Sequence, residues 1–472
     1  MVVVASNVES QEPIVEADES SNLDKQHLIW KKNTPCLYDL ILSHSLSWPS
    51  LSVEFFKDMQ EEEGFNVYRL LVGTNTCRQE AEKLMICSLK LPTSTEKVDY
   101  NPETGEYGGY IGLSSSLGRL DTQISIIHDQ EVNRARIMPQ NQNIIATTSP
   151  SSKVYIFDIA KHPSTPASQT EIKEQICLSG HTKEGFSLSW NVHNEGNLLS
   201  GANDSLICFW DISAVNSNGK KDSSSDKFSM NPKSIFTFHT DVIEDVQWHF
   251  HNPHVFGSAS DDKSIAIWDI RTGALPQIIK FDAHEGFVNC LAFHHSSDNF
   301  FLSGSSDTNI KLWDLRNLSD SLHSFDGTLK NSQQSSPDNS QSQEPNPKSE
   351  KKDQEQSIDL RYRKMKNSLH SFSQHKSEVY SLQWCPHNDA LFMSGSLDRT
   401  VKIWDISLIG AEQTSQDAAD GPPELLFVHG GHTERVSDIS WHVADPYLAA
   451  SVADDNILQV WKFTSDILNS DV

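Results

Sequence analysis

The stretch HEGFVNCLAFHHSSDNFFLSGSSDTNIKLWDL, residues 284–315, sets the reading of the whole chain. His284 is followed 29 residues later by Trp313 and then Asp314, and Asp307 stands six residues before the tryptophan. The same interval recurs in His128/Phe157, His181/Trp210, His239/Trp268, His375/Trp404 and His432/Trp461. Asp204, Asp262, Asp398 and Asp455 repeat the aspartate, and Ser151 stands there in the remaining unit. From one aromatic to the next the steps are 53, 58, 45, 91 and 57 residues. A fixed interior with elastic connections is the pattern of a repeat architecture, in which each unit buries its apolar face against its neighbours. Within residues 284–315, Val288 to Phe293, Phe300 to Ser305 and Ile310 to Leu315 read as three strands, and a fourth falls in the connection.

Units of this length and signature are WD40 blades. A further unit without the histidine is read in Trp48 to Leu91, from the strand-like runs starting at Leu51, Tyr68 and Leu84. The fold class is therefore all-β, a seven-bladed WD40 β-propeller with an N-terminal α-helix, and the propeller is assigned to residues 35–467. Residues 1–20 read as a disordered acidic tail. Residues 21–34 read as the helix, with Asn22 as its cap, Leu23, His27 and Trp30 on one face, and Pro35 restricting Thr34 and ending it. Leu37 to Leu42 then reads as a strand that closes the ring on the last blade. Residues 330–358, rich in Ser, Gln, Asn, Pro and Lys, form a low-complexity insert within the propeller. Leu-His-Ser-Phe flanks this insert at Leu322 to Phe325 and at Leu369 to Phe372, and the second copy is expected to supply the outer strand because it runs directly into His375. The run from Arg361 to Lys366 is read as a solvated basic tether, with a nuclear import signal as the other reading.

The 472 residues carry 38 Lys and Arg against 64 Asp and Glu, a formal charge of −26. That balance disfavours nucleic acid as a direct partner and favours a basic one. Seven cysteines without a Cys-x-x-Cys pair fit a reduced compartment better than a disulfide framework or a zinc site. Neither a signal peptide nor a membrane span is read, so the expected location is the nucleus, the cytoplasm or both.

Six histidines with acidic or hydroxyl partners raise metal or catalytic chemistry, but a constellation repeated in every unit is architectural far more often. His128, His181, His239, His284, His375 and His432, with Asp204, Asp262, Asp307, Asp398 and Asp455, are expected to share a buried hydrogen-bond network with the Trp indole N–H groups. No nucleophile, base, phosphate loop or paired ligand motif stands out, so no catalytic residue, metal or cofactor is expected. A glutamate follows each histidine within five residues, at Glu131, Glu184, Glu244, Glu285, Glu378 and Glu434. With Asp261, Asp454, Phe186, Phe287 and Tyr380 nearby, these residues read as an acidic, aromatic-lined ring at the channel mouth, suited to an Arg- and Lys-rich peptide. Residues 409–424 form an acidic Asp-Gly-Pro-Pro loop carrying Glu412, Asp417, Asp420, Pro422 and Glu424. Facing the N-terminal helix, it would give an apolar trough with an acidic lip, fit for a basic amphipathic helix.

Four segments carry a family resemblance: Trp30-Lys-Lys-Asn-Thr-Pro-Cys-Leu-Tyr-Asp-Leu, Leu46-Ser-Trp-Pro-Ser-Leu, Glu131-Val-Asn-Arg-Ala-Arg-Ile-Met-Pro-Gln and Asp420-Gly-Pro-Pro-Glu-Leu-Leu-Phe-Val-His-Gly-Gly-His. They resemble the retinoblastoma-binding, Msi-type histone-binding WD40 family over about Leu23 to Ile467. The resemblance implies a histone chaperone or scaffold for histones H3 and H4, shared among chromatin assembly, histone acetyltransferase, deacetylase and Polycomb-type complexes, with no direct DNA and no membrane contact. It implies a histone H4 groove at Trp30, Leu37, Asp417, Asp420, Pro422 and Ile467. It implies a histone H3 face at Trp48, Glu131, Asn133, Glu184, Phe186, Glu244, Asp261, Asn289, Glu378, Tyr380 and Asp454. Cys36 stands where the family usually has Phe, Phe186 where Tyr is usual and Asn75 where His is usual. A competing expectation is a substrate receptor of a cullin-type ubiquitin ligase, because Trp268-Asp-Ile-Arg and Trp313-Asp-Leu-Arg resemble the signature of such receptors.

Overall fold

The computed structural model of the protein describes residues 16–93, 99–101, 106–108, 120–166, 168, 170–215, 219–221, 227–272, 277–325, 360–365, 367–465 and 467. The tail up to residue 15 and the insert at 330–358 lie outside the described residues.

Alternating apolar runs separated by turn residues become antiparallel sheets, each numbered here as a blade in chain order. Blade 1 consists of Val53–Glu62, Phe65–Gly73, Lys83–Pro92 and Leu120–Ile127, so its outer strand lies well beyond Leu91. Blade 5 shows the repeat form, with Val288–Phe293, Phe300–Ser305, Ile310–Asp314 and the outer strand His370–Phe372. That outer strand comes from the second Leu-His-Ser-Phe copy and pairs Ile310 with Phe372. Blade 6 is Val379–Trp384, Leu391–Ser396, Val401–Asp405 and Leu425–His429. Blade 7 takes Val436–Trp441, Ala449–Ala453 and Ile457–Phe463 from the end of the chain and Tyr38–Ser45 from its beginning, with Ile41 opposite Trp461. The inner strands touch in turn around the axis and close with Val436–Trp441 against Val53–Glu62. Seven apolar clusters fill the wedges, the one between blades 7 and 1 joining Leu458 and Val460 to Val53 and Leu70.

Blade 2 runs from the inner strand Arg134–Ile137 to the outer strand Ile176–Ser179, blade 3 from Gly185–Trp190 to Ser234–Phe236 and blade 4 from Ile243–Trp248 to Gln277–Asp282, and blades 2 and 4 exceed four strands. The long connection of blade 3 lays Phe228–Met230 parallel to the outer strand of blade 2, and that of blade 5 lays Leu360–Met365 parallel to the outer strand of blade 4, with Ile279 opposite Arg363. Leu318–Phe325 pairs back on Leu360–Met365. The basic run is thus largely strand, which corrects its reading as a tether: an outer strand leaves one row of backbone groups open, and a neighbouring segment satisfies them by pairing.

Helix α1 spans Glu16–Leu37, longer at both ends than residues 21–34. Asn22 is therefore interior, and residues 16–20 belong to the helix. Pro35 lies inside it because the carbonyl that a residue-35 N–H would have bonded finds another donor: the Thr34 hydroxyl sits 2.6 Å from the Lys31 oxygen. Leu37 is the last helical residue, and the closing strand starts at Tyr38.

Candidate functional site

The repeat residues form the frame that carries both surfaces. In blade 6, His375 Nε2 lies 2.7 Å from the Ser394 hydroxyl, which also accepts the Trp404 indole N–H at 2.9 Å, while His375 Nδ1 lies 2.8 Å from Asp398. Ser200, Ser258, Ser303 and Ser451 do the same in blades 3, 4, 5 and 7. The histidine and the indole never bond each other directly; a serine joins them. This serine, 19 residues after each histidine, was legible from its spacing but absent from the expected network. In blade 2 Thr147 replaces it, and Ser151 does not reach His128, whose Nδ1 turns to the Gln130 carbonyl at 2.7 Å. Ser151 bonds Ser149 and Tyr155 instead, because its shorter side chain is satisfied within its own turn.

Each aspartate also accepts N–H groups from the turns on both sides, as Asp398 does from Thr400 and Lys376. Burial raises the Asp398 carboxyl, but the bond and charge of His375, together with the Lys402 charge and the Thr400 hydroxyl, outweigh it and hold the group well below the usual carboxylate range. The residue after each aspartate adopts a left-handed conformation, with φ of 62° at Ser205, 67° at Lys263, 69° at Thr308 and 72° at Arg399. These turns and the histidine loops occupy one face of the ring.

On that face, Glu244, Asp261, Glu378 and Tyr380 come within electrostatic reach of one another. Burial, then the Asp261 charge, pushes Glu244 up to about 7. Burial and Asp241 push Asp261 up to about 6. Tyr380 and Phe287 are exposed, at 38% and 48%. Glu131 and Phe186 are half-buried, and Glu184 accepts the Asn203 amide at 3.0 Å. Trp48 donates its indole N–H to Glu80 at 3.3 Å, and Asp454 is held by Arg435 and by Ser437 at 3.0 Å. Asn133 and Asn289 are buried and turn their amides to the Gly185 and Val379 carbonyls of the next blades. They therefore act within the wall of the ring.

Deeper in the channel lies a group the sequence reading missed. Asp438, with only 2% of its side chain exposed, receives Arg134 at 3.2 Å and Arg136 at 3.0 Å, together with Ser52 and the Val53 N–H. Glu54, pushed up to about 7 by burial against the opposing charge of Arg136, and Asp245 line the same cavity of about 220 Å³. Asp245 and Asp438 each stand six residues after a repeat histidine, and that register was the available signal.

The second surface lies at the ring closure. Trp30, Leu37 and Ile467 all pack on one cluster that includes Tyr38, Phe427, Trp461 and Phe463. The Thr464 N–H bonds the Leu37 carbonyl at 3.0 Å, which brings the last described residues against the end of α1. A trough of about 350 Å³ is lined by Ile29, Trp30 and Leu37 from α1 and by Val428, Gly430 and Arg399 from blade 6. Ile29 and Val428 present exposed apolar surface there, at 61% and 39%. The strand Leu425–His429 runs beside it from the acidic loop at one end to Gly430 at the other. In that loop Asp417 opens a short 3₁₀ turn and accepts the Thr414 hydroxyl at 2.7 Å, Asp420 is exposed and Pro422 is half-buried. Glu424, expected at the acidic lip, is instead buried and bonded to His370 at 2.9 Å, because the turn that leads into the strand at Leu425 carries its side chain inward.

The family model described as histone-binding protein RBBP4, or the C component of the CAF1 complex, matches residues 25–93, which span the described side chains of α1, the closing strand and three strands of blade 1. The WD domain, G-beta repeat model matches residues 172–211, 230–269, 275–314, 366–405 and 423–462. Those five segments bear the inner strands of blades 3 to 7.

Proposed function

This chain belongs to the RBBP4- and Msi-type family of histone-binding WD40 proteins, and from that premise we propose how its two surfaces are used. It is a histone H4-binding WD40 subunit of chromatin complexes. In our reading the H4 helix lies in the trough along Leu425–His429. Its apolar face meets Ile29, Trp30, Leu37, Val428 and Ile467, and its basic residues meet Asp417 and Asp420, with Pro422 stiffening the loop. The observation that carries this is the pairing of an open apolar trough with an exposed acidic loop at the end of one strand. Titration of a histone H4 helix peptide against the protein and against Asp420→Lys tests it. A loss of at least tenfold in the variant supports the reading, and equal affinity overturns it.

The channel-mouth surface takes a cationic tail, for which we propose histone H3. The support is the convergence of Glu244, Asp261 and Glu378 beside the exposed Tyr380 ring, where carboxylates pair with ammonium or guanidinium groups and the ring face holds them. We further propose a non-catalytic scaffold working in the nucleus, shared among larger chromatin-modifying complexes, with no direct DNA contact in view of the −26 charge. The ligase-receptor reading gains no support. Arg271 and Arg316 fold back as forks on Asp269 and Asp314, at 2.5 and 2.7 Å, which gives both a role inside their own blades.

A further inference from the structure

Trp30 donates its indole N–H to the Tyr38 hydroxyl at 2.8 Å, and that hydroxyl lies 2.7 Å from His429 Nδ1. The three residues belong to α1, the closing strand and the outer strand of blade 6, so one chain of hydrogen bonds crosses the seam where the ring is shut. An indole nitrogen only donates, so the Tyr38 oxygen accepts from it, and with the His429 proton on Nε2 the Tyr38 hydroxyl gives its own proton to His429 Nδ1. Burial holds the Tyr38 phenol far above its ordinary range, and burial holds His429 well below the usual histidine range, so both stay neutral as this arrangement requires.

The surroundings leave these groups little freedom. His429 is 0% exposed and stacks on Trp461 with centroids 4.5 Å apart and an 8° tilt. Tyr38 meets Phe427 and Trp461 edge-on at 5.3 and 6.3 Å. His27, one turn before Trp30, stacks on its indole at 5.3 Å and bonds the Gly430 carbonyl at 3.3 Å. By contrast, Leu28 and Ile29, next to Trp30 in the same helix, are more than 60% exposed. Trp30 and Leu37 hold this part of α1 against the apolar cluster of the seam, and the polar relay adds a directional tie at the same place.

We propose that Trp30, Tyr38 and His429 are positioning residues: their relay fixes the height and roll of α1 over blade 6 and so sets the width of the trough that receives a partner helix. The claim about the partner rests on the H4 reading above; the claim about α1 does not. Tyr38→Phe keeps the ring and its edge-on contacts and removes only the bridging hydroxyl. In the full-length variant, backbone hydrogen exchange in residues 25–37 should accelerate at least tenfold, while exchange in Ile457–Phe463 stays as in the parent. Affinity for a histone H4 helix peptide should fall at least tenfold. Phe301→Leu, a core lesion in blade 5, should lower stability and leave that affinity unchanged, which separates positioning from general loosening. Should Tyr38→Phe not fold, Trp30→Phe breaks the same relay and is read by the hydrogen exchange of residues 25–37 alone, because Trp30 also lines the trough. Unchanged exchange in residues 25–37 overturns the relay. Faster exchange with unchanged affinity overturns its positioning role. If the parent does not bind the peptide, the H4 reading fails while the exchange result still decides the relay.

Discussion

His249 fastens blade 4 to blade 5 by donating its Nε2–H to the carbonyl oxygen of Asp298, 2.9 Å away. Its Nδ1 accepts the N–H groups of His251 and Asn252, both at 3.1 Å, so the neutral tautomer with the proton on Nε2 is the one that fits. The arrangement recurs on the face opposite the repeat aspartates. His294 reaches the Asp389 carbonyl at 2.8 Å, His193 the Phe250 carbonyl at 2.6 Å and His387 the His442 carbonyl at 3.2 Å. His442 accepts two N–H groups and packs edge-on against Phe55 and Tyr68 of blade 1. Imidazoles thus link consecutive blades from 3 to 7 on this face.

Acid should loosen these junctions. Burial holds His249 below the ordinary histidine range and His442 at about 4. For a base whose folded pKa is depressed, the stabilising contribution is present above the unfolded value near 6.5 and is lost as pH falls toward the folded value. For His442 that amounts to roughly 3 kcal/mol across the window. Denaturant midpoints measured at pH 7.5, 6.5, 5.5 and 4.5 should fall steadily below pH 6.5, and less so in His442→Asn.

The ring of carboxylates should respond to pH in the same sense, in binding and not in stability. With Glu244 near 7 and Asp261 near 6, both gain charge as pH rises from 6 to 8. Affinity for a histidine-free, Arg- and Lys-rich peptide should therefore rise several-fold over that interval, and Glu244→Gln should flatten the rise. Titrations at constant ionic strength measure this directly.

Removing Asp438 should be costly. Asp438→Ala leaves Arg134 and Arg136 facing a cavity without their shared partner, and losing one member of a buried ion cluster costs about 3–5 kcal/mol. Replacing Arg134 and Arg136 with Met in the same chain should recover part of that loss, because the uncompensated charges are gone. Equilibrium unfolding of the parent, single and triple variants provides the comparison.

Thr308 offers a gain. A β-branched residue at φ 69° is strained, whereas Asn456 holds the same turn position at 62° with a side chain that tolerates it. Thr308→Asn should stabilise by about 1 kcal/mol, read as a higher denaturant midpoint at unchanged slope.

The network around each histidine was legible because it closes within one unit. Ser394 and Trp404 lie on adjacent strands of one blade, with His375 in the loop before its inner strand and Asp398 in the turn between those two strands, so their spacing is a covalent constraint that the sequence displays. The helix end was misread for a similarly local reason: Pro35 signals a stop, and only the folded geometry reveals that the Thr34 hydroxyl stands in for the missing donor. The trough was anticipated in outline, since Trp30 and the Asp-Gly-Pro-Pro loop are unusual stretches. The inward turn of Glu424 toward His370 was not, because the partner comes from another blade.

Spacing within six units, with the strand-like runs of Trp48 to Leu91 for a seventh, determined the number of blades, and the spacing determined the face that carries the aspartates and the two regions where the pattern breaks. Ring closure decided the rest. Arg134 meets Asp438 across 304 residues and Tyr38 meets His429 across 391, and no local pattern encodes either distance. Such contacts exist only once seven wedges have packed around an axis and the first strand has shut the last blade, because that packing removes the charged and polar groups from water and leaves each other as their available partners.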